Sequence, residues 1–168
     1  ALFNAMKRKE VYATTGSRIR VRFFGGWGYD QDDVNDPNYL DIAYRGGVPM
    51  GGDLTNAPKN GTPTFIAVAA KDPEGANLDR VQVVKGWLDS EGKLHERVYD
   101  VAWSGDRVVD KDGKLPNVGN TVDLVSGRYK NNIGASEFAA EWIDPDFDAQ
   151  QPAERRAEGL THIYIVKA

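Results

Sequence analysis

Between Arg18 and Phe24 the chain alternates without interruption. Ile19, Val21 and Phe23 fall on one side, and Arg18, Arg20 and Arg22 on the other. Side chains of an extended strand point to opposite faces in turn, so this pattern predicts a strand half in a core and half in water. Gly25-Gly26-Trp27-Gly28 breaks it. The strand signal returns from Pro63. Residues 64–70 are an apolar run, closed by the turn residues Asp72-Pro73-Glu74-Gly75. Residues 80–88 and 94–103 flank Asp89-Ser90-Glu91-Gly92, a hairpin signal with glycine where a left-handed backbone is needed. Asp110-Lys111-Asp112-Gly113 marks a further turn, and residues 121–125, 136–143 and 161–166 complete the set. Short strands at near-regular spacing predict a mostly β chain: an antiparallel β-sandwich, immunoglobulin-like or jelly-roll-like.

One domain is the natural reading of 168 residues. Leu2, Phe3 and Met6 form one apolar stripe ahead of Lys7, Arg8 and Lys9, which predicts a short N-terminal helix with positive charge at its C-terminus. No N-cap precedes it, so residues 1–16 read as the last helix and a short strand, 12–16, of an upstream domain. Residues 29–62 hold many Asp, Asn, Gly and Pro and no sustained period. They read as a long loop excursion with one short strand near residues 42–44; loops of this length tend to be either functional or mobile.

Charge and residue inventory narrow the chemistry. The net charge of -4 argues against a nucleic-acid partner, which needs a concentrated positive surface. The distribution is uneven: six basic residues against Glu10 alone up to Gly28, then six Asp against Arg45 and Lys59 up to Asn60. Mutual neutralisation across the fold is the simple reading, and an anion-binding face on Arg18, Arg20 and Arg22 the sharper one. With no cysteine, disulfides and thiolate catalysis are excluded. No apolar run approaches the ~20 residues of a membrane span, and no membrane partner is expected. Localisation stays open.

Candidate sites follow from residue type and spacing. His95 and His162 are the only histidines and belong to no metal-ligating motif, so a histidine-based metal centre is not expected. Both read as ordinary strand residues. Structural calcium is the one cofactor candidate: Asp144, Asp146 and Asp148 alternate as hard oxygen donors, although the Gly and Glu of an EF-hand loop are replaced by Ala149 and Arg155. Turn chemistry is the simpler reading of such Asp. Glu137 and Glu141 share a strand face, but four residues of strand span ~13 Å. Glycosidase carboxylates stand ~5–5.5 Å or ~6.5–9.5 Å apart, so these two cannot act together. Thr14, Thr15 and Ser17 surround Gly16 without forming a nucleophile elbow. Asn60-Gly61-Thr62 matches a glycosylation sequon. Trp27, Trp87, Trp103 and Trp142 offer ring faces for a sugar, yet tryptophans of a sandwich are mostly core. Trp142 is assigned to the core and Trp27 to the surface. A ligand site would therefore use Trp27 with Asp30, Asp32 and Asp33 of the acidic excursion.

Several stretches taken together resemble the uncharacterised bacterial family called domain of unknown function 3604. They begin with residues 5–16 and Arg22-Phe23-Phe24-Gly25-Gly26-Trp27, then Gly47-Val48-Pro49-Met50-Gly51-Gly52-Asp53-Leu54 and residues 71–80. Val84-Lys85-Gly86-Trp87, residues 99–106, residues 119–123, Ile133-Gly134-Ala135-Ser136 and residues 142–148 follow in order. The resemblance covers residues 3–152. It implies relatives that are larger, exported proteins, whose N-terminal half carries an Asp-x-His-x-His pattern of polymerase-and-histidinol-phosphatase-type metal hydrolases. No residue here matches that pattern. The family continues past Asp148 with a Tyr-rich strand and a Pro-rich tail, whereas residues 154–168 depart from it and offer a substitute closing strand.

The chain thus reads as a rearranged gene fragment keeping the C-terminal β portion, of the kind carried on mobile elements or recovered from environmental DNA. The expected function is a non-catalytic β-sandwich accessory or interaction module, with a homodimer as the expected partner arrangement. Carbohydrate or small-ligand binding is the first alternative, and a carboxylate- or calcium-dependent hydrolase the second.

Overall fold

The computed structural model describes residues 1–89, 91–147 and 162–168. Two antiparallel sheets carry it. β1 (Arg20–Gly26), β2 (Gly47–Pro49), β3 (Thr64–Ala70) and β6 (Glu137–Ile143) form the first, in the order β2-β1-β3-β6. β4 (Arg80–Leu88), β5 (Leu94–Trp103) and β7 (His162–Lys167) form the second, in the order β5-β4-β7. Three short helices, α1 (Leu2–Lys7), α2 (Gln31–Asn35) and α3 (Tyr39–Gly46), complete the described elements.

The expectation of a mostly β chain with two antiparallel sheets holds. Phe23, Phe65, Ala67 and Ala69 of the first sheet share one core with Leu78, Val81 and Val83 on the side of the second. Phe23 and Phe65 stack with ring centroids 5.3 Å apart. Phe24, Ile66 and Val68 point the other way and pack with Tyr29, Val34 and Ala43 of the helical segment. β3 is therefore covered on both faces, which is why its sequence is an unbroken apolar run. β4 is buried at every second position from Val81 to Lys85, as a strand with one inward face requires. Helices, sheet and sheet make three layers.

Three local expectations are corrected. The excursion 29–62 is partly helical, and the strand expected near residues 42–44 lies inside α3. Asp30 starts α2 with a capping box: its carboxylate accepts from the Asp32 and Asp33 amides at 2.9 and 3.0 Å, and Asp33 accepts from the Asp30 amide. Helices of one or two turns are too short to display a 3.6-residue period, so the pattern was invisible. The strand expected at 121–125 is a single bridge between Val122 and Tyr129. Asp123 there accepts from the amides of Val125 and Ser126 and from the Ser126 hydroxyl, which bends the chain into a turn. Leu124 and Val125 stay 90% and 98% exposed, so no apolar face rewards a ladder. Residues 12–16 form no strand either. Residues 12–15, with Ser17, Ile19, Val21, Met50 and Tyr164, line a cavity of about 460 Å³.

The turn chemistry was legible. Gly92 in the β4–β5 hairpin has φ of 84°. Asp89 shapes the same turn by accepting from the Glu91 and Lys93 amides, each at 2.9 Å.

Tyr29 fastens the helical layer to the sheet. Its hydroxyl donates to the Ala43 carbonyl at 2.5 Å, and its amide donates to the Thr64 hydroxyl at 2.8 Å. Burial pushes the phenol up to about 12. The ring lies against glycines: a Cβ on Gly47 would stand 2.3 Å from the Tyr29 hydroxyl and 2.1 Å from the Gly25 carbonyl oxygen. The hydroxyl is held by its bond to Ala43, and Gly25 lies in a strand paired on both sides. Gly47→Ala is therefore expected to destabilise the fold by about 1–3 kcal/mol, the range of overpacking, measured as a lower midpoint in urea.

Candidate functional site

A buried cluster of ionisable side chains lies where β6 ends. Its signal in the sequence is a lysine in the wrong register. Val81, Val83 and Lys85 share the inward parity of β4, and Lys85 is only 1% exposed. Strand pairing sets its neighbours. Arg97 of β5 lies opposite Lys85 on one side and Tyr164 of β7 on the other. Tyr99 lies opposite Val83, one inward position along.

Pro145 follows Asp144 directly after β6, and the chain turns there. The turn delivers two carboxylates into the row. Lys85 Nζ lies 2.6 Å from Asp144 Oδ2 and donates to the Asp146 carbonyl at 2.9 Å. The Tyr164 hydroxyl donates to Asp144 Oδ2 at 2.7 Å, and the Asp146 amide donates to Oδ1 at 3.0 Å. Asp146 Oδ2 in turn accepts from Arg97 and Tyr99, each at 2.6 Å. Desolvation first, and these carboxylates second, push both tyrosine hydroxyls far above their ordinary range, so they remain donors. Rings enclose the group: Lys85 Nζ stands 5.3 Å from the Trp87 centroid, and Trp142 packs between Tyr99 and Tyr164.

This placement bears on the calcium candidates. The carboxylates of Asp144 and Asp146 are turned toward a lysine, an arginine and two tyrosine hydroxyls, and Asp148 lies outside the described residues. Among the described residues no three His, Asp or Glu side chains gather as a metal would require.

The other candidate residues are dispersed. Asp30 and Asp33 are engaged in the α2 cap, and Asp32 is exposed beside them. Trp27 is half-buried rather than an open platform. Its indole donates to the Thr55 carbonyl at 2.8 Å and its edge meets Phe147. Glu141 faces the α2 side of the first sheet, where burial first, then the nearby Asp30 and Asp33, raise its carboxyl. Trp87 stacks on His95, Trp103 donates to the Arg107 carbonyl at 3.0 Å, and Trp142 joins the core as expected. The four tryptophans thus share no platform. Of the basic strand face, Arg22 lies by Glu10, whose carboxylate also engages Arg8 and the Tyr44 hydroxyl. Elsewhere Arg107 and Arg80 converge on Asp79 and on the carbonyl of Pro116, which ties residues 104–117 to the second sheet. His95 pairs with Asp89 at 2.6 Å; the side chain of His162 lies outside the described set.

Two outcomes follow. Removing one member of a buried ion pair strands its partner, so Lys85→Met alone is expected to destabilise by about 3–5 kcal/mol in denaturant titrations. Lys85→Met with Asp144→Leu should recover part of that loss, since both charges then vanish together. The second outcome concerns acid. His95, then the Lys93 amide, hold Asp89 down to about 2. A depressed folded-state value means the contribution is complete above the ordinary carboxylate range and drains away as pH falls toward about 2. Protection of the Lys93 amide against hydrogen exchange should decline over that acid interval.

No curated protein and no solved structure matches the chain. A family model described as Protein of unknown function (DUF3604) matches residues 1–154, and the chain belongs to that family.

Proposed function

We propose that the chain acts as a non-catalytic β-sandwich accessory module, a unit of interaction rather than of reaction. The observation that carries this reading is α1. Leu2, Phe3 and Met6 are 72%, 74% and 58% exposed, and the helix buries none of its residues. An amphipathic helix with its apolar stripe in water gains free energy from any surface that covers it. A second copy of the chain is the simplest such surface, and the proposed assembly is a homodimer. The inward ionisable groups support the same reading. Lys85, Asp144 and Tyr164 are committed to one another, and Arg80, Arg107 and Asp79 to a loop anchor.

The test has two arms. Light scattering across a concentration series should report a dimer that Phe3→Glu with Met6→Glu weakens at least tenfold, while the fold, read by circular dichroism, is unchanged. A monomer at the highest concentration would remove the homodimer. Hydrolysis of phosphoester, sulfate-ester and glycoside substrates, with zinc or manganese added, should stay at background. Turnover that tracks stoichiometric metal would overturn the non-catalytic reading.

Small-ligand binding is favoured as a second reading by one observation, the cavity of about 460 Å³ between residues 11–17, β1 and β7. Its size falls in the range of small-molecule sites. Its walls include Tyr12, Ile19, Val21, Met50 and Val166, a chemistry suited to an apolar ligand rather than a sugar. A ligand-dependent rise in melting temperature, lost on Val21→Glu, is the expected outcome. No shift across a library of apolar compounds would dispose of it.

A further inference from the structure

Lys85 and Asp144 meet the chemical requirements for more than an ion pair. Their side chains are 1% and 0% exposed, and Nζ lies 2.6 Å from Oδ2. Reacting groups held at roughly 3–3.5 Å in an enforced orientation have already lost the entropy that slows the same step in solution. A nitrogen hydrogen-bonded to the carboxyl group is next to the carbon it would attack. Every atom of that carboxyl is also addressed. Oδ2 accepts the Tyr164 hydroxyl at 2.7 Å, and Oδ1 accepts the Asp146 amide at 3.0 Å. An amide N–H aimed at the oxygen that gains charge is the arrangement that stabilises a tetrahedral oxyanion.

We propose that Lys85 and Asp144 condense into an amide, a covalent cross-link between the two sheets. The ammonium passes one proton to Oδ2, and the freed amine attacks Cγ. A carbon–nitrogen bond forms and the electron pair moves onto Oδ1, facing the Asp146 amide. A second proton moves from the nitrogen to Oδ2, relayed by the Tyr164 hydroxyl. The Cγ–Oδ2 bond then breaks, and Oδ2 leaves as water. Ammonium and carboxylate give amide and water, and no oxidant, metal or cofactor enters the balance.

The interior supplies the driving force. Two opposite charges kept from water carry a desolvation penalty that the neutral amide does not. The released water has better hydrogen bonding outside than in this ring-enclosed site. The placement gives the bond a mechanical role: Lys85 sits in the middle strand of one sheet, and Asp144 follows the edge strand of the other. A link there fastens sheet to sheet. This goes beyond the interaction reading and stands or falls independently of it.

Mass spectrometry of the intact, denatured full chain decides the matter. The expected mass is that of the sequence less one water. Peptide mapping should recover the segment holding Lys85 joined to the segment holding Asp144. Lys85→Met should restore the full mass whether or not that variant folds, and Tyr164→Phe should form the link at least tenfold more slowly. Wild-type protein that is folded at neutral pH and keeps its full mass after prolonged incubation would overturn the proposal. So would a water loss that persists in Lys85→Met, because the dehydration would then lie elsewhere.

Discussion

The contact between Lys85 and Asp144 sets the terms for the rest of the second sheet. A charge at the inward register of a strand is tolerable only if an opposite charge and hydrogen bonds meet it there. Meeting that demand fixes where the chain goes after β6: it must turn at Asp144-Pro145 so that carboxylate and carbonyl reach one ammonium. It also fixes what flanks β4, since Tyr164 and Tyr99 present hydroxyls to the same two aspartates. One misplaced lysine thus organises residues from β4, β5, β7 and the turn after β6. None of the described buried side-chain polar atoms is left without a partner.

On the other side of the molecule the organising constraint is steric. The first sheet has two apolar faces, so both require cover. The second sheet covers one. The segment after β1 covers the other, and it does so through a tyrosine laid over glycines. Gly26, Gly46 and Gly47 leave no room for a side chain beneath the Tyr29 ring. The acidic composition of this segment, which in isolation suggests a ligand loop, is explained by helix starts: Asp30 and Asp33 satisfy amides that the first turn of a helix leaves without partners.

These two constraints consume most of the groups from which a reaction centre would be assembled. Carboxylates accept from amides, arginines and tyrosines, and the inward cations are matched. Apolar surface is treated differently. The α1 stripe remains in water, and the cavity beside β1 stays open to it. Settled interior charges thus stand beside unsettled apolar surface. That asymmetry underlies the proposed role as an accessory module of the family to which the chain belongs.

The sequence by itself determined the longer strands of the core. β3, β4 and β5 lie where apolar runs and alternation put them, because strand periodicity is a property of neighbouring residues and needs no partner to be visible. Glycine at a left-handed turn was legible for the same local reason. Tertiary structure alone decided the rest. Residues 39–46 became a helix because the bare face of β3 needed covering, and residues 121–125 stayed out of a sheet because no face was there to cover. Val81, Val83 and Lys85 share one parity in the sequence, yet nothing local says that the lysine's partner is Asp144, more than fifty residues away. Long-range electrostatics chose that partner, since a charge taken out of water accepts only the group the folded chain delivers to it.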